Sequence, residues 1–210
     1  VANDPEIRTP PIRPRRHPAA RRVVVSALLA LFAASGNARA DAAAGQAKAQ
    51  ICVACHGPQG NSANPAYPQL AGQTARYLYL QLRDFKEGRR SDPAMSPMAT
   101  PLSKEDMLDL SDYFAAQKPM ASTYKVDAAR VAAGRSKSEE VPCTMCHLGG
   151  FAGQNEIPRV AGQQYAYIVK QLEDFRARRR TNDAGNMTSI SRNLSDDDIK
   201  NLANYITGLN

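Results

Sequence analysis

Two short segments of the 210-residue chain carry most of its chemical potential. Cys52-Val53-Ala54-Cys55-His56 and Cys143-Thr144-Met145-Cys146-His147 together use all four cysteines and two of the three histidines. Thiols at positions i and i+3 lie about one turn apart on a helix. They can add to the two vinyl groups along one edge of a porphyrin, and the adjoining imidazole is then carried under the iron. C-x-x-C-H is the attachment sequence for c-type haem. A structural zinc site would need its two cysteine pairs about 15–20 residues apart, whereas 87 residues separate Cys55 from Cys143. A thioredoxin-like pair belongs beside a βαβ pattern, which is missing, and a plain disulfide explains neither histidine. The expectation is two covalently bound c-type haems, one on Cys52 and Cys55 and one on Cys143 and Cys146. His56 and His147 are then the proximal ligands, and His17 takes no role.

The sixth coordination position decides between electron transfer and small-molecule chemistry, and an internal repeat selects its candidates. The cysteine motif recurs at an offset of 91. Pro68-Gln69-Leu70-Ala71-Gly72-Gln73 returns as Pro158-Arg159-Val160-Ala161-Gly162-Gln163 at offset 90, as does Gln81-Leu82-Arg83-Asp84-Phe85 as Gln171-Leu172-Glu173-Asp174-Phe175. Leu102-Ser103 returns as Leu194-Ser195 at offset 92. Such a tandem duplication predicts two related domains of about 80 residues. Aligned on Leu102 and Leu194, Met95 falls on Met187 while Met98 falls on Ile190. Met95 and Met187, 39 and 40 residues after their histidines, are therefore the expected axial ligands, each in a polar loop before a helix. Met98 reads as packing, with ligation as its other reading. Met107 and Met145 read as structural, and Met120 has no counterpart.

The elements that must hold these residues read as helices. Asp41–Val53 is Ala-rich and leads into the first cysteine motif. Leu78, Leu82 and Phe85, then Ile168, Leu172 and Phe175, recur at helical spacing over 74–87 and 164–177. Ser103 and Ser195 are N-cap candidates with Asp106 and Asp198 three residues on, as in a capping box. Leu102 with Met107, and Leu194 with Ile199, fit a hydrophobic staple. Apolar faces follow at Met107, Leu110, Tyr113 and Phe114, and at Ile199, Leu202, Tyr205 and Ile206. No alternating strand pattern of useful length occurs. An all-α chain results, with halves at 41–120 and 127–210 and a linker at 121–126. A Trp-free domain of that size has a thin core, which a haem would fill.

The net charge of +7 invites nucleic acid as a partner, but its distribution removes that reading. Residues 1–40 hold seven of the 27 basic and two of the 20 acidic residues, which leaves 20 and 18 and a net +2 for the remainder. Arg21-Arg22, the apolar run Val23 to Ala34 and Ala38-Arg39-Ala40 form the n-region, core and cleavage site of a secretory signal peptide. Cleavage is expected after Ala40. An uncleaved anchor is the other reading, but a 12-residue core is short for a membrane span. The chain opens on Val1, and residues 1–20 carry five prolines, which reads as an overlong n-region or a misassigned start. Export fits the haem reading, because the thioether bonds are made after translocation in bacteria.

With P-x-[LV]-A-G-Q, Q-L-x-D-F-x-x-x-R-R and a methionine ahead of an L-S-x-x-D helix in each half, residues 41–210 resemble the dihaem cytochrome c4 family. The resemblance implies two class I cytochrome c folds about a pseudo-twofold axis, with His/Met iron in each. It also implies that Pro68 and Pro158 offer their carbonyls to the proximal imidazoles. The second methionine loop, Asn186-Met187-Thr188-Ser189-Ile190, departs from Ala94-Met95-Ser96-Pro97-Met98 and reads as less rigid. The expected function is a periplasmic, monomeric electron carrier, not an enzyme. It would take electrons from a quinol-oxidising complex or a dehydrogenase to a haem-copper terminal oxidase, with loose membrane association left open. The alternative is the dihaem subunit of a flavin-linked, sulfide-type dehydrogenase. A dihaem peroxidase fits least, since it needs a vacant iron site. Arg176, Arg178, Arg179 and Arg180, echoed by Arg89-Arg90, read either as a solvated face or as a docking patch for an acidic partner.

Overall fold

A computed structural model describes residues 42–209. The signal peptide expected over 1–40 lies outside the described residues. Among those residues the only extended pairing is one isolated bridge between Gln154 and Ile157, and the rest is helix and connecting loop. Among the described residues no helix is long and apolar enough to cross a membrane.

The first half contains α1 (Ala42–Lys48), α2 (Gln50–His56), α3 (Ala75–Lys86), α4 (Met95–Ala99) and α5 (Lys104–Ala115). The second contains α6 (Ala128–Glu140), α7 (Cys143–His147), α8 (Tyr165–Arg176), α9 (Asn186–Ser191) and α10 (Asp196–Thr207). The helix expected over 41–53 runs on through the cysteine motif to His56, with a change of geometry only at Ala49. In the second half the corresponding helix, α6, is parted from α7 at Val141-Pro142, because proline at 142 has no amide hydrogen to continue the ladder.

The terminal helices close as their residues require. Both capping boxes form: Ser103 and Ser195 accept from the backbone N–H groups of Asp106 and Asp198, whose carboxylates reach back to the serine amides. Each such cap stabilises its helix by about 1 kcal/mol. On α10, Ile199, Leu202 and Ile206 are buried, and on α5 so are Met107, Leu110, Tyr113 and Phe114. At roughly 1.5–3 kcal/mol for each large apolar side chain, these faces dominate the two cores. One core gathers Phe151, Ile168, Leu172 and the α10 face, and the other gathers Leu78, Leu110, Tyr113 and Phe114. The opening helix of each half crosses the closing one at a glycine. A Cβ on Gly45 would lie 2.2 Å from the Asp109 carbonyl oxygen, and one on Gly134 would lie 2.0 Å from that of Asn201.

The halves meet through α3 and α8. Arg90 donates to Gln81 Oε1 (2.8 Å), Tyr167 Oη (3.0 Å) and Gln171 Oε1 (2.9 Å). Arg180 mirrors it, donating to Gln171 Oε1 (2.7 Å), Tyr77 Oη (3.2 Å) and Gln81 Oε1 (2.9 Å). Each guanidinium also stacks on a phenylalanine of its own half, Phe85 or Phe175, at 4.5 Å. Burial favours the neutral Tyr77 hydroxyl, but the charges of Arg180 and Arg90 outweigh it and hold its pKa below the usual tyrosine range.

This interface removes Arg90 and Arg180 from the docking reading of the arginine run. Arg180 is 8% exposed and Arg90 only half-buried, and both guanidiniums hold the halves together. Arg179 and Arg89 lie on the surface but pair with Asp174 and Asp84 of their own halves, and Arg176 pairs with Asp196.

Candidate functional site

The site in each half starts at the helix that carries the cysteines. Cys52 and Cys143 are half-buried and Cys55 and Cys146 are exposed. The histidine that ends each helix points inward: His56 is 4% exposed and His147 8%. A residue with positive φ then turns the chain, Gly57 at +73° and Leu148 at +63°.

Each imidazole meets a backbone carbonyl from the loop that follows. His56 Nδ1 lies 2.9 Å from Pro68 O, and His147 Nδ1 lies 2.9 Å from Pro158 O. A carbonyl only accepts, so Nδ1 carries the ring proton and Nε2 keeps a free lone pair. Burial lowers the pKa of both rings, and the bond to the proline carbonyl offsets this only in part. Two neutral imidazoles of fixed tautomer result. Each is oriented by the kind of outer bond that fixes a metal-binding histidine.

The methionines divide by environment. Met95 and Met187 are both half-buried, and Met187 packs against the core of the second half. They do not lie in polar loops as expected: Met95 opens α4 and Met187 lies in α9. An aspartate upstream organises each turn. Asp92 Oδ1 accepts from the Met95 and Ala94 amides, and Asp183 accepts from the Thr188 amide and hydroxyl. The second segment is thus anchored by side chain as the first is. Met107 is buried at 4% exposure, as a structural residue should be, but Met98 is 39% exposed and Met145 78%. Neither packs into a core, and α4 turns Ala99 inward instead of Met98.

The residues fit a porphyrin better than a bare ion. Among the described residues no cluster of three or more histidine, cysteine or acidic side chains is placed to hold a metal. Each half instead offers two thiols one turn apart, an imidazole lone pair and a thioether. Apolar side chains stand exposed beside the cysteines, Ile51 at 65% and Met145 at 78%.

Comparison with known proteins leads to the same class. The cytochrome c family model matches twice, over residues 42–118 and 131–210. Cytochrome c4 of Pseudomonas aeruginosa is 42% identical over 200 residues, covering 90% of this chain and 98% of that protein. The crystal structure of reduced recombinant cytochrome c4 from Pseudomonas stutzeri superposes with a TM-score of 0.76 at 39% identity, covering 81% of this chain and 99% of that one. A thiosulfate dehydrogenase electron acceptor from Thiomonas intermedia is 34% identical over 201 residues, covering 90% of this chain and 91% of that protein. The chain belongs to the cytochrome c family, and within it to the dihaem cytochrome c4 group. It carries two covalent c-type haems, on Cys52/Cys55 and Cys143/Cys146, and it transfers electrons.

Sequence reasoning quoted Gln73 and Gln163 only as part of a repeat, and did not single out Tyr77 and Tyr167. All four sit in the interface between the halves. Their common 90-residue offset was the available signal.

Proposed function

We propose that the protein is a periplasmic electron shuttle with His56 and Met95 on one iron and His147 and Met187 on the other. The halves would be 41–120 and 127–210, joined by 121–126, after loss of a leader ending at Ala40. The observation that carries the ligand assignment is the pair of buried imidazoles, each with Nδ1 held by a proline carbonyl and Nε2 left to bind. Haem iron, when bound by an imidazole and a thioether, would supply one-electron redox chemistry, with the thioether favouring Fe(II). The chain's own part is to keep each ring in one tautomer and orientation, to hold each methionine on a short capped turn, and to fix the spacing between the halves. Donors would be a quinol-oxidising complex or a dehydrogenase, and the acceptor a haem-copper terminal oxidase. Absorbance of the reduced protein should show low-spin haem at two per chain; a high-spin spectrum, or one haem, rejects the assignment.

A second reading, the dihaem partner of a dehydrogenase, is favoured by the similarity to the Thiomonas electron acceptor. Purification from the native source separates the two, since a shuttle elutes alone and a subunit elutes with its enzyme.

A further inference from the structure

The peptide group that supports each proximal imidazole is itself held from the other half. Pro158 O accepts from His147 Nδ1. The N–H of the same peptide unit belongs to Arg159, and it donates to Gln73 Oε1 at 2.7 Å, across the interface. Gln73 Nε2 returns a bond to Arg159 O at 2.8 Å, and its Oε1 also accepts from the Thr74 amide at 2.9 Å. The second arrangement is the mirror of the first. The Gln69 N–H, in the peptide unit whose carbonyl is Pro68 O, donates to Gln163 Oε1 at 2.7 Å. Gln163 Nε2 donates to Gln69 O at 3.0 Å, and its Oε1 accepts from the Gln164 amide at 2.9 Å. Both glutamines are 6% exposed, and every polar atom of their amides is used, so their orientation is unambiguous.

A peptide unit is rigid and planar, so whatever holds its N–H also aims its carbonyl. Hydrogen bonds in series polarise one another, by about 10–30% per bond. An acceptor on the Arg159 N–H therefore makes Pro158 O a stronger acceptor for His147, which raises the basicity of that imidazole. We propose that Gln73 and Gln163 are cross-domain positioning residues: each tunes the haem of the opposite half through the peptide that carries the proximal histidine's hydrogen bond. The proposal rests on His56 and His147 being the proximal ligands. A more basic imidazole favours Fe(III), so loss of the glutamine acceptor raises the potential of the haem it serves.

The test is Gln73→Leu and Gln163→Leu in the full holoprotein, read by spectropotentiometry. Gln73→Leu should raise the potential of haem 2 and leave haem 1 unmoved, and Gln163→Leu should do the reverse. In the reduced, diamagnetic protein, Gln73→Leu should also speed solvent exchange of the His147 Nδ1 proton and not that of His56. If Gln73→Leu does not assemble, Gln73→Glu keeps an acceptor facing Arg159 and should move haem 2 downward. A shift of the variant's own haem, equal shifts of both, or none in an otherwise low-spin protein overturns the proposal. A wild-type spectrum lacking histidine ligation would instead overturn the ligand assignment beneath it.

Discussion

Arg180 separates an interface clamp from a docking patch. Replacing it with methionine keeps the stem over Phe175 but removes the guanidinium that donates to Tyr77 and Gln81 across the interface and to Gln171 and Asn182 of its own half. The acceptors are not equally orphaned. Gln81 keeps Arg90 and Asn182 as donors and Gln171 keeps Arg90, so the unreplaced loss is chiefly at Tyr77. A hydrogen bond from a charged group contributes about 1.5–3 kcal/mol. Part of that is recovered because a buried guanidinium no longer has to be desolvated. A net cost of about 1–2 kcal/mol follows for Arg180→Met. At roughly 2–4 °C per kcal/mol for a chain of this size, the melting temperature should fall by roughly 2–8 °C.

Arg179→Met is the control. Its bond to Asp174 is a surface pair, and such pairs are worth about 0–1 kcal/mol. Thermal melts of both variants, with electron-transfer rates measured across a range of ionic strength, distinguish the two roles. The interface reading expects Arg180→Met to lower stability and leave the salt dependence of the rate unchanged. Equal stability of the two variants, or a flattened salt dependence in Arg180→Met, would refute it.

Gly45→Ala and Gly134→Ala each set a Cβ within about 2 Å of a backbone carbonyl oxygen and should destabilise their own half by about 3 kcal/mol, visible in denaturant unfolding. Met187→Ala should lower the potential of haem 2 and open it to carbon monoxide, which a difference spectrum would show as one site per chain, while Met98→Ala should open none. Asp106 is held down to about 2, first by the Lys48 hydrogen bond and then by those from Ser103, against about 3.9 for a free aspartate. Its folded-state pKa is depressed, so its stabilisation is fully present above about pH 4 and is lost as pH falls toward 2. Asp106→Asn should flatten the acid limb of stability in that window.

The cysteine motifs, the helices and the caps were legible because each depends on local spacing. Ser103 with Asp106 needs only one turn of chain to declare itself, and so does Leu78 with Leu82 and Phe85. Arg90 and Arg180 were misread because charge runs look alike whether they face solvent or another half of the same molecule. Gly45 and Gly134 drew no notice because a glycine inside a helix announces a close approach only once the crossing helix is known. The turn geometry of Met95 and Met187 was hidden for a similar reason: five or six residues are too few to show a helical period, and their order comes from Asp92 and Asp183 a few residues upstream.

The drift of the repeat has a structural meaning. The offset is 91 at the cysteines and 92 at Leu102 and Leu194, but it holds at 90 from Pro68 and Pro158 through to Arg90 and Arg180. That constant stretch contains Gln73, Tyr77, Gln81 and Arg90 with their counterparts, all of which bond across between the halves. An interface about a pseudo-twofold axis is self-complementary, so one residue gained or lost in either copy would misregister both sides at once. Outside the stretch the contacts across are isolated ones, from the Ser62 and Asn155 carbonyls and the Asn182 side chain, and a loop there can absorb a residue. The carbonyls that accept from His56 and His147 stand at the start of this register-locked segment. The geometry of each histidine is therefore tied to the pairing of the halves, and separating them should disturb both sites together.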